Sequence, residues 1–367
     1  MKNDRRTRIR EEAVRLSAIF RAAGALPVET DSLLPADVLL DLYGEDIRAR
    51  AFVIQDPACG EQMLRPDFTV PIVQCHMAEG AEPMRYTYCG AVWRKQTGGR
   101  ATEYVQVGYE VFDRENPAAA DAEVFGLFHD TLAHAGLRVA TGDMGLLRDA
   151  VRALSTTEDR KTALMRHLWR PTRFVDLLER FGGRRATADA HAQLLEEVAA
   201  KGLDSLLSEA GPKIGLRSEA EIRARISALQ AEQKAPALAR EELAMIEDIL
   251  AMSGSSADTL ATLRRIATVF QALNAAADRI EARLAAIDAK GIDAGALPFE
   301  AAFGRTTLEY YDGFVFGFLA EGRPDLPVIA SGGRYDALTA RLGQGRSIAA
   351  VGGVIRPEAL LEACGWP

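Results

Sequence analysis

The texture of the chain changes twice, and those two changes constrain the fold more than any single motif. Up to about Asp143, short aromatic and β-branched runs alternate with turn residues. From about Asp143 to about Pro298, Ala, Leu, Glu and Arg recur at helical spacing, and beyond Pro298 strand-like runs return. Breakers at Gly182-Gly183, Gly211-Pro212 and Ser253-Gly254 divide the middle block into helices. Its last stretch, Ser256 to Ala289, places Leu260, Leu263, Ala267, Phe270, Leu273, Ala277, Ile280, Leu284 and Ile287 on one stripe, which predicts one long helix packed on others. The expected fold class is α+β. An antiparallel sheet core flanked by helices is built from the two ends of the chain, 1–142 and 300–367, with an α-helical insertion over 143–299.

Within the ends, Ile9, Ala13, Leu16 and Phe20 mark an amphipathic helix over 8–22 that Gly24 is placed to end. Arg85 to Arg94 and Glu103 to Phe112 read as the arms of a long antiparallel hairpin, with the Gly98-Gly99 pair as its turn signal. Strand texture resumes at Leu308 to Leu319 and Pro327 to Ser331, followed by a helix (Tyr335 to Leu342) and a closing strand-helix pair from Ala350 to Glu362.

Composition narrows the function classes. The 367 residues, 48% of them hydrophobic, suffice for a large core and two domains. No run of about 18 apolar residues occurs, and Met1 to Arg10 is basic and polar rather than signal-like, so the expected place is the cytoplasm, with no membrane partner. The four cysteines form no CxxC pair and have no histidine at ligand spacing, so reduced thiols and no metal are expected. A net charge of −8 argues against a nucleic-acid partner, which needs a cationic surplus. The chain has no GxxxxGK[ST] loop, GxSxG elbow, HExxH helix or strand-to-helix GxGxxG, and no cofactor is expected.

Any site must then be built on the antiparallel sheet. Along Val105 to Val111, alternation puts Gln106, Gly108 and Glu110 on one face and the valines on the other. That face is either a solvated sheet surface or a pocket. Gly108 favours the pocket, because glycine weakens a strand interior unless something approaches closely. The loop Arg94 to Arg100 carries three cations around a diglycine, either as a solvated hairpin tip or as a grip for phosphate or carboxylate. Tyr310 and Tyr311, adjacent on a strand, are expected to point to opposite faces. Ser331 to Asp336 reads as a glycine turn entering a helix.

Taken in order, Leu64-Arg65-Pro66-Asp67-Phe68-Thr69, Arg94 to Glu110, Leu308 to Gly313 and Gly332-Gly333-Arg334-Tyr335-Asp336 resemble the landmarks of the histidyl-tRNA synthetase catalytic core, a class II synthetase fold. The resemblance covers roughly 8–142 and 300–360, while the helical block matches only as an inserted domain. It implies a bound L-histidine. Asp67 and Thr69 would hold its amino group, and Gln106, Glu110, Tyr310 and Tyr311 would surround its carboxylate and imidazole. Arg94 would match the arginine on the α-phosphate and completes the expected ligand-binding set. Arg100 would be the second cation of that loop, a candidate anion-binding residue. The class II core also implies a twofold homodimer.

Departures from the family pattern change the expected function. Thr306 stands where the synthetases have an arginine two residues before the Leu-acid-Tyr-Tyr run, and Arg305 is out of register, facing the other way if the segment is a strand. The Gly-x-Glu-Arg pattern reads Arg356-Pro357-Glu358-Ala359, so alanine replaces the γ-phosphate arginine. Fixed cations at developing phosphate charge are worth a few kcal/mol each, about 2.7–4 for single-donor losses, so losing two is expected to abolish adenylation. Only nine residues follow Glu358, too few for an anticodon-binding domain. The expectation is a non-catalytic regulatory paralogue that senses histidine and makes no use of tRNA. It would pair with a short-form ATP phosphoribosyltransferase catalytic subunit, its homodimer forming the core of a larger hetero-oligomer. The competing expectations are a class II synthetase-like ligase acting on a non-tRNA substrate, with Arg305 or Arg356 replacing the missing cations, and an RNA-binding paralogue.

Overall fold

Most of the alternating runs at both ends of the chain pair into one large sheet, while Leu33–Pro35, Val53–Asp56 and Gly60–Leu64 form a separate three-stranded antiparallel sheet. In chain order the elements used below are α1 (Lys2–Ala22), α2 (Thr69–Glu79), β1 (Met84–Trp93), β2 (Glu103–Phe112), α3 (Pro117–Leu132), β3 (Arg138–Asp143), α4 (Glu158–Arg166), α5 (Pro171–Phe181), α6 (Ser256–Val269), α7 (Asn274–Asp288), β4 (Phe314–Leu319), β5 (Ala330–Arg334), α8 (Asp336–Leu342), β6 (Ala350–Ile355) and α9 (Pro357–Ala363). The computed structural model describes residues 2–43, 47–96, 100–185, 189–211, 215–305 and 310–366. The expected Gly98-Gly99 turn lies outside them.

β1, β2, β6, β5, β4 and β3 lie side by side in that order, and every neighbouring pair is antiparallel. Short parallel pairings extend the sheet at Leu26–Pro27 beside β1 and at Phe299 beside Thr141 of β3. The last strand of the chain therefore sits in the middle of the sheet, between β2 and β5.

Alternation sends Val107, Tyr109 and Val111 of β2 to the face covered by α1 and α3, where they join Leu16, Phe20, Phe125 and Phe128 in one cluster. Phe314, Phe316 and Phe318 of β4 reach the same face, each ring centroid 5.6–6.1 Å from that of Phe125. Burying each such ring contributes about 1.5–3 kcal/mol. This aromatic layer fixes which sheet face is packed. The other face is left for Gln106, Gly108 and Glu110.

The chain divides into two compact units, Met1–Asp149 with Ile249–Pro367, and Ala150–Asp248. The separate helical unit is thus narrower than the 143–299 read from texture, because α6 and α7 belong with the sheet. The reason is visible at α7. Buried Arg283 donates to Asp143 at 2.7 Å and lies 3.6 Å from Asp121 and 4.4 Å from the Phe314 ring centroid, while Ile287 joins the sheet's apolar cluster. Helical texture cannot report which unit a helix packs against. The stripe from 256 to 289 is also two helices rather than one, since Phe270 leaves helical geometry (φ −104°, ψ 77°) before α7 begins.

Three local expectations fail nearby. The strand expected from Leu308 starts only at Phe314, and Ala301–Arg305 is a turn with Arg305 buried, so the strand-register reading of Arg305 does not apply. Thr306, Leu308 and Glu309 lie outside the described residues. The Gly332-Gly333 pair is strand, not turn: a Cβ on Gly332 would fall 2.3 Å from the Phe316 ring and one on Gly333 2.7 Å from the Phe314 carbonyl. Glycine is required there by the closeness of β4.

The unit Ala150–Asp248 is helical throughout its described elements. Thr157 caps α4 through its side chain, and Pro171 occupies the first turn of α5, whose Phe174, Leu178 and Phe181 are buried. Leu195, Val198 and Ile226 form a second small apolar cluster there.

Candidate ligand-binding site

Glu110 is the centre of the opposite sheet face. It is 1% exposed, and β6 leaves room for it: Gly352 is its cross-strand partner, and a Cβ there would lie 1.5 Å from Glu110 Oε2. Three hydroxyls from three elements donate to it. Thr69 of α2 and Tyr88 of β1 reach Oε1, each at 3.2 Å, and Tyr335, just beyond β5, reaches Oε2 at 2.7 Å. Burial raises its pKa to about 7, against the lowering effect of those hydroxyls and with a smaller contribution from the Asp67 charge. The carboxyl is therefore held near the midpoint of its own titration at neutral pH.

The sequence-derived set converges around it. Tyr310 donates to Thr69 Oγ1 at 3.3 Å, and Tyr310 and Tyr311 meet edge to face with centroids 4.9 Å apart. The two tyrosines share one side of the molecule instead of opposite faces, because the segment that carries them is not a strand. Burial, with the charge of Glu110 second, pushes the Tyr311 hydroxyl well above the usual phenol range. Asp67 accepts from the Val70 amide at 3.4 Å and lies 3.5 Å from Arg94, whose Nε donates to the Pro66 carbonyl at 2.6 Å. Gln106, two strand repeats before Glu110 on the same face, is 1% exposed, and its amide oxygen has no hydrogen-bond partner among the described residues.

Two members were missed by the sequence reading, Tyr88 and Tyr335. The signal was present in Gly108, read there as room for a ligand. Tyr88 is its cross-strand partner, and a Cβ on Gly108 would fall 2.0 Å from the Tyr88 ring. The glycine makes room for a tyrosine that holds the carboxylate. Phe68 stacks on that tyrosine at 4.4 Å, and the Arg65 guanidinium lies 3.7 Å from the Phe68 ring centroid.

Arg100 is not part of this cluster. It lines a separate cavity of about 250 Å³ with Gln96, Tyr104, Arg356 and Ala359. Two of the cations lining it have acceptors: Arg5 pairs with Glu358 at 3.0 Å and with Glu362, and Arg356 donates to the Val328 carbonyl. Burial lowers the Arg356 pKa. Among the described residues no group of His, Cys, Asp and Glu is arranged to hold a metal ion.

The family model described as histidyl-tRNA synthetase matches residues 2–235 and 218–360. An ATP phosphoribosyltransferase regulatory subunit of Mesorhizobium japonicum is 33% identical over 376 residues, covering 96% of this chain and 97% of its own. One from Allorhizobium ampelinum is 31% identical over 351 residues, covering 91% and 92%. The chain belongs to the ATP phosphoribosyltransferase regulatory subunit family.

Solved structures share this family's fold. An ATP phosphoribosyltransferase regulatory subunit/histidyl-tRNA synthetase from Bacillus halodurans superposes with a TM-score of 0.67 at 19% identity, covering 98% of this chain and 79% of that one. A histidyl-tRNA synthetase from Nostoc superposes at 0.60 with 17% identity, covering 98% and 72%. The class II, histidyl-tRNA synthetase-like architecture read from the ordered landmarks is therefore the fold of this family. Among the described residues no helix is long and apolar enough to cross a membrane.

Proposed function

We propose that the chain is a histidine-sensing regulatory subunit acting on a separate short-form ATP phosphoribosyltransferase catalytic subunit in the cytoplasm, at the first step of histidine biosynthesis. In this reading it neither activates histidine nor serves tRNA. Family membership supports the regulatory role, and the Glu110 cluster supports the ligand.

A carboxylate offers about four lone-pair positions, and three of Glu110's are taken by Thr69, Tyr88 and Tyr335. The remaining one suits an imidazole N–H. The buried, unpartnered Gln106 oxygen costs roughly 1–3 kcal/mol until a donor reaches it. Asp67 and Thr69 supply acceptors for an ammonium, and Arg94, Tyr310 and Tyr311 complete the enclosure. The single observation that carries the reading is this: the amino-acid end of the site is intact, while Ala359 stands where a synthetase would grip phosphate.

Arg100 is assigned an anion-binding role only in the cavity beside Arg356, apart from the histidine. A homodimer is the proposed minimal unit, with the catalytic partner bound in a larger assembly. Co-purification from the native host, followed by assay with ATP and phosphoribosyl pyrophosphate with and without histidine, tests the whole reading. A partner whose activity ignores both this chain and histidine overturns it.

A further inference from the structure

The helical unit carries a second cluster of charge that the histidine reading does not use. Residues 160–185 hold eight Lys and Arg against two Asp and Glu, whereas the rest of 150–248 holds eight against fourteen. Three of these arginines converge. Arg170, Arg173 and Arg180 line a cavity of about 390 Å³ with His167, Asp176 and Leu177. Arg173, Leu177 and Arg180 fall four and three residues apart on one face of α5, and Arg170 stands at the start of that helix with no side chain capping its amides. Asp176, the carboxylate in the wall, is paired with Arg185. His167 Nδ1 is buried without a hydrogen-bond partner.

We propose that this cavity is a binding site for a small, multiply charged phosphate compound, such as a polyphosphate or a nucleoside triphosphate. Guanidinium groups grip phosphate bidentately, and the first turn of α5 adds uncapped amides and the positive end of a helix dipole. The charge count favours a compact anion over a polynucleotide. A strand running past the cluster would leave the basic segment and meet the acidic remainder of the unit. His167 supplies a reporter: burial lowers its pKa first, and Arg170, Arg166 and Arg173 lower it further. A bound anion that offsets those cations raises it again.

The test uses the full chain and calorimetry with sodium tripolyphosphate, ATP and a 12-nucleotide RNA. Tripolyphosphate and ATP are expected to bind, weakening as salt rises, and Arg173→Ala with Arg180→Ala is expected to reduce their affinity at least tenfold. Equal affinity for the two means phosphate alone is read; tighter ATP means the nucleoside is read as well. Because Arg180 also lies 4.8 Å from the Phe181 ring centroid, Arg180→Lys with Arg173→Glu is the second variant and should lose binding while keeping the helical signal. In wild type, the His167 ring proton should titrate at higher pH with tripolyphosphate present, and in the double variants it should not respond. No binding by either small anion, or RNA binding more tightly through the same arginines, overturns the proposal. Histidine binding, measured in the same samples, is untouched by either result, so failure here leaves the Glu110 reading standing.

Discussion

The two ends of β2 treat charge differently. Near its C-terminal end, Glu110 is a carboxyl that accepts from three hydroxyls and is buried enough to resist ionisation. Near its start, Tyr104 and Val105 line a cavity in which Arg5 is matched by Glu358 and Glu362 and Arg356 by a backbone carbonyl. At the first end the Gln106 oxygen is left without a hydrogen-bond partner among the described residues; at the second, two of the three lining arginines are already held. Both lie on one strand, and under the proposed function one end recognises the ligand while the other no longer grips phosphate.

The largest effect that could break this contrast is chemical turnover. Histidine-dependent exchange of pyrophosphate into ATP is expected to stay at background at micromolar protein, since each missing phosphate cation is worth about 2.7–4 kcal/mol. Measurable exchange would mean that the cavity at the start of β2 still works. Next in size is the titration of Glu110. Below about pH 4.5 its carboxyl is protonated in folded and unfolded chain alike; between there and about 7 the unfolded chain loses the proton first, so stability falls as pH rises through that window. The full penalty above pH 7 is about 3 kcal/mol, taking 1.36 kcal/mol per pKa unit. Denaturant midpoints of Glu110→Gln measured from pH 4 to 8 should lack that component. An unchanged slope would show that the carboxyl is not held against ionisation.

Histidine affinity sharpens the comparison further. Glu110→Ala removes a hydrogen bond to a charged group worth about 1.5–3 kcal/mol, so calorimetry should show affinity falling tenfold to a hundredfold or more, with feedback on the partner weakened in parallel and its histidine-free activity retained. Wild-type binding and inhibition in a folded variant would move the sensor elsewhere. The smallest expected effect is at the other end of the strand. Arg100→Ala is an exposed substitution and should change histidine affinity by no more than about twofold, within 0.5 kcal/mol. A larger loss would merge the two ends into one site.

Much of the Glu110 end was legible because strand alternation is an unforgiving rule. Gln106 and Glu110 had to share a face, and the hairpin of β1 and β2 followed from aromatic and β-branched runs. Tyr88 and Tyr335 were not legible, since Tyr88 reaches Glu110 from the neighbouring β1 and Tyr335 from beyond β5, two strands away, and such juxtapositions are tertiary facts. Tyr310 and Tyr311 were misplaced because their texture suits a strand that the backbone does not form. Gly332 and Gly333 were read as a turn, although their glycines answer to the nearness of β4. The unit boundary was misjudged for the same reason: nothing in the α7 sequence says that Arg283 will be claimed by Asp121 and Asp143.

The central position of β6 has a consequence for how the protein is made. Glu110 gains its room from Gly352 and its shortest hydrogen bond from Tyr335, partners more than 220 residues further along the chain. On a ribosome adding roughly 5–20 residues each second, the first hairpin waits on the order of ten to fifty seconds for the strand that completes it. Until then β2 offers an open edge and the aromatic layer behind it is only partly covered. The helical unit, whose contacts are local, has no such wait. Once residue 248 has been added the insertion is complete while the sheet is still unfinished, and the stretch that needs shielding from aggregation is the one that holds Glu110.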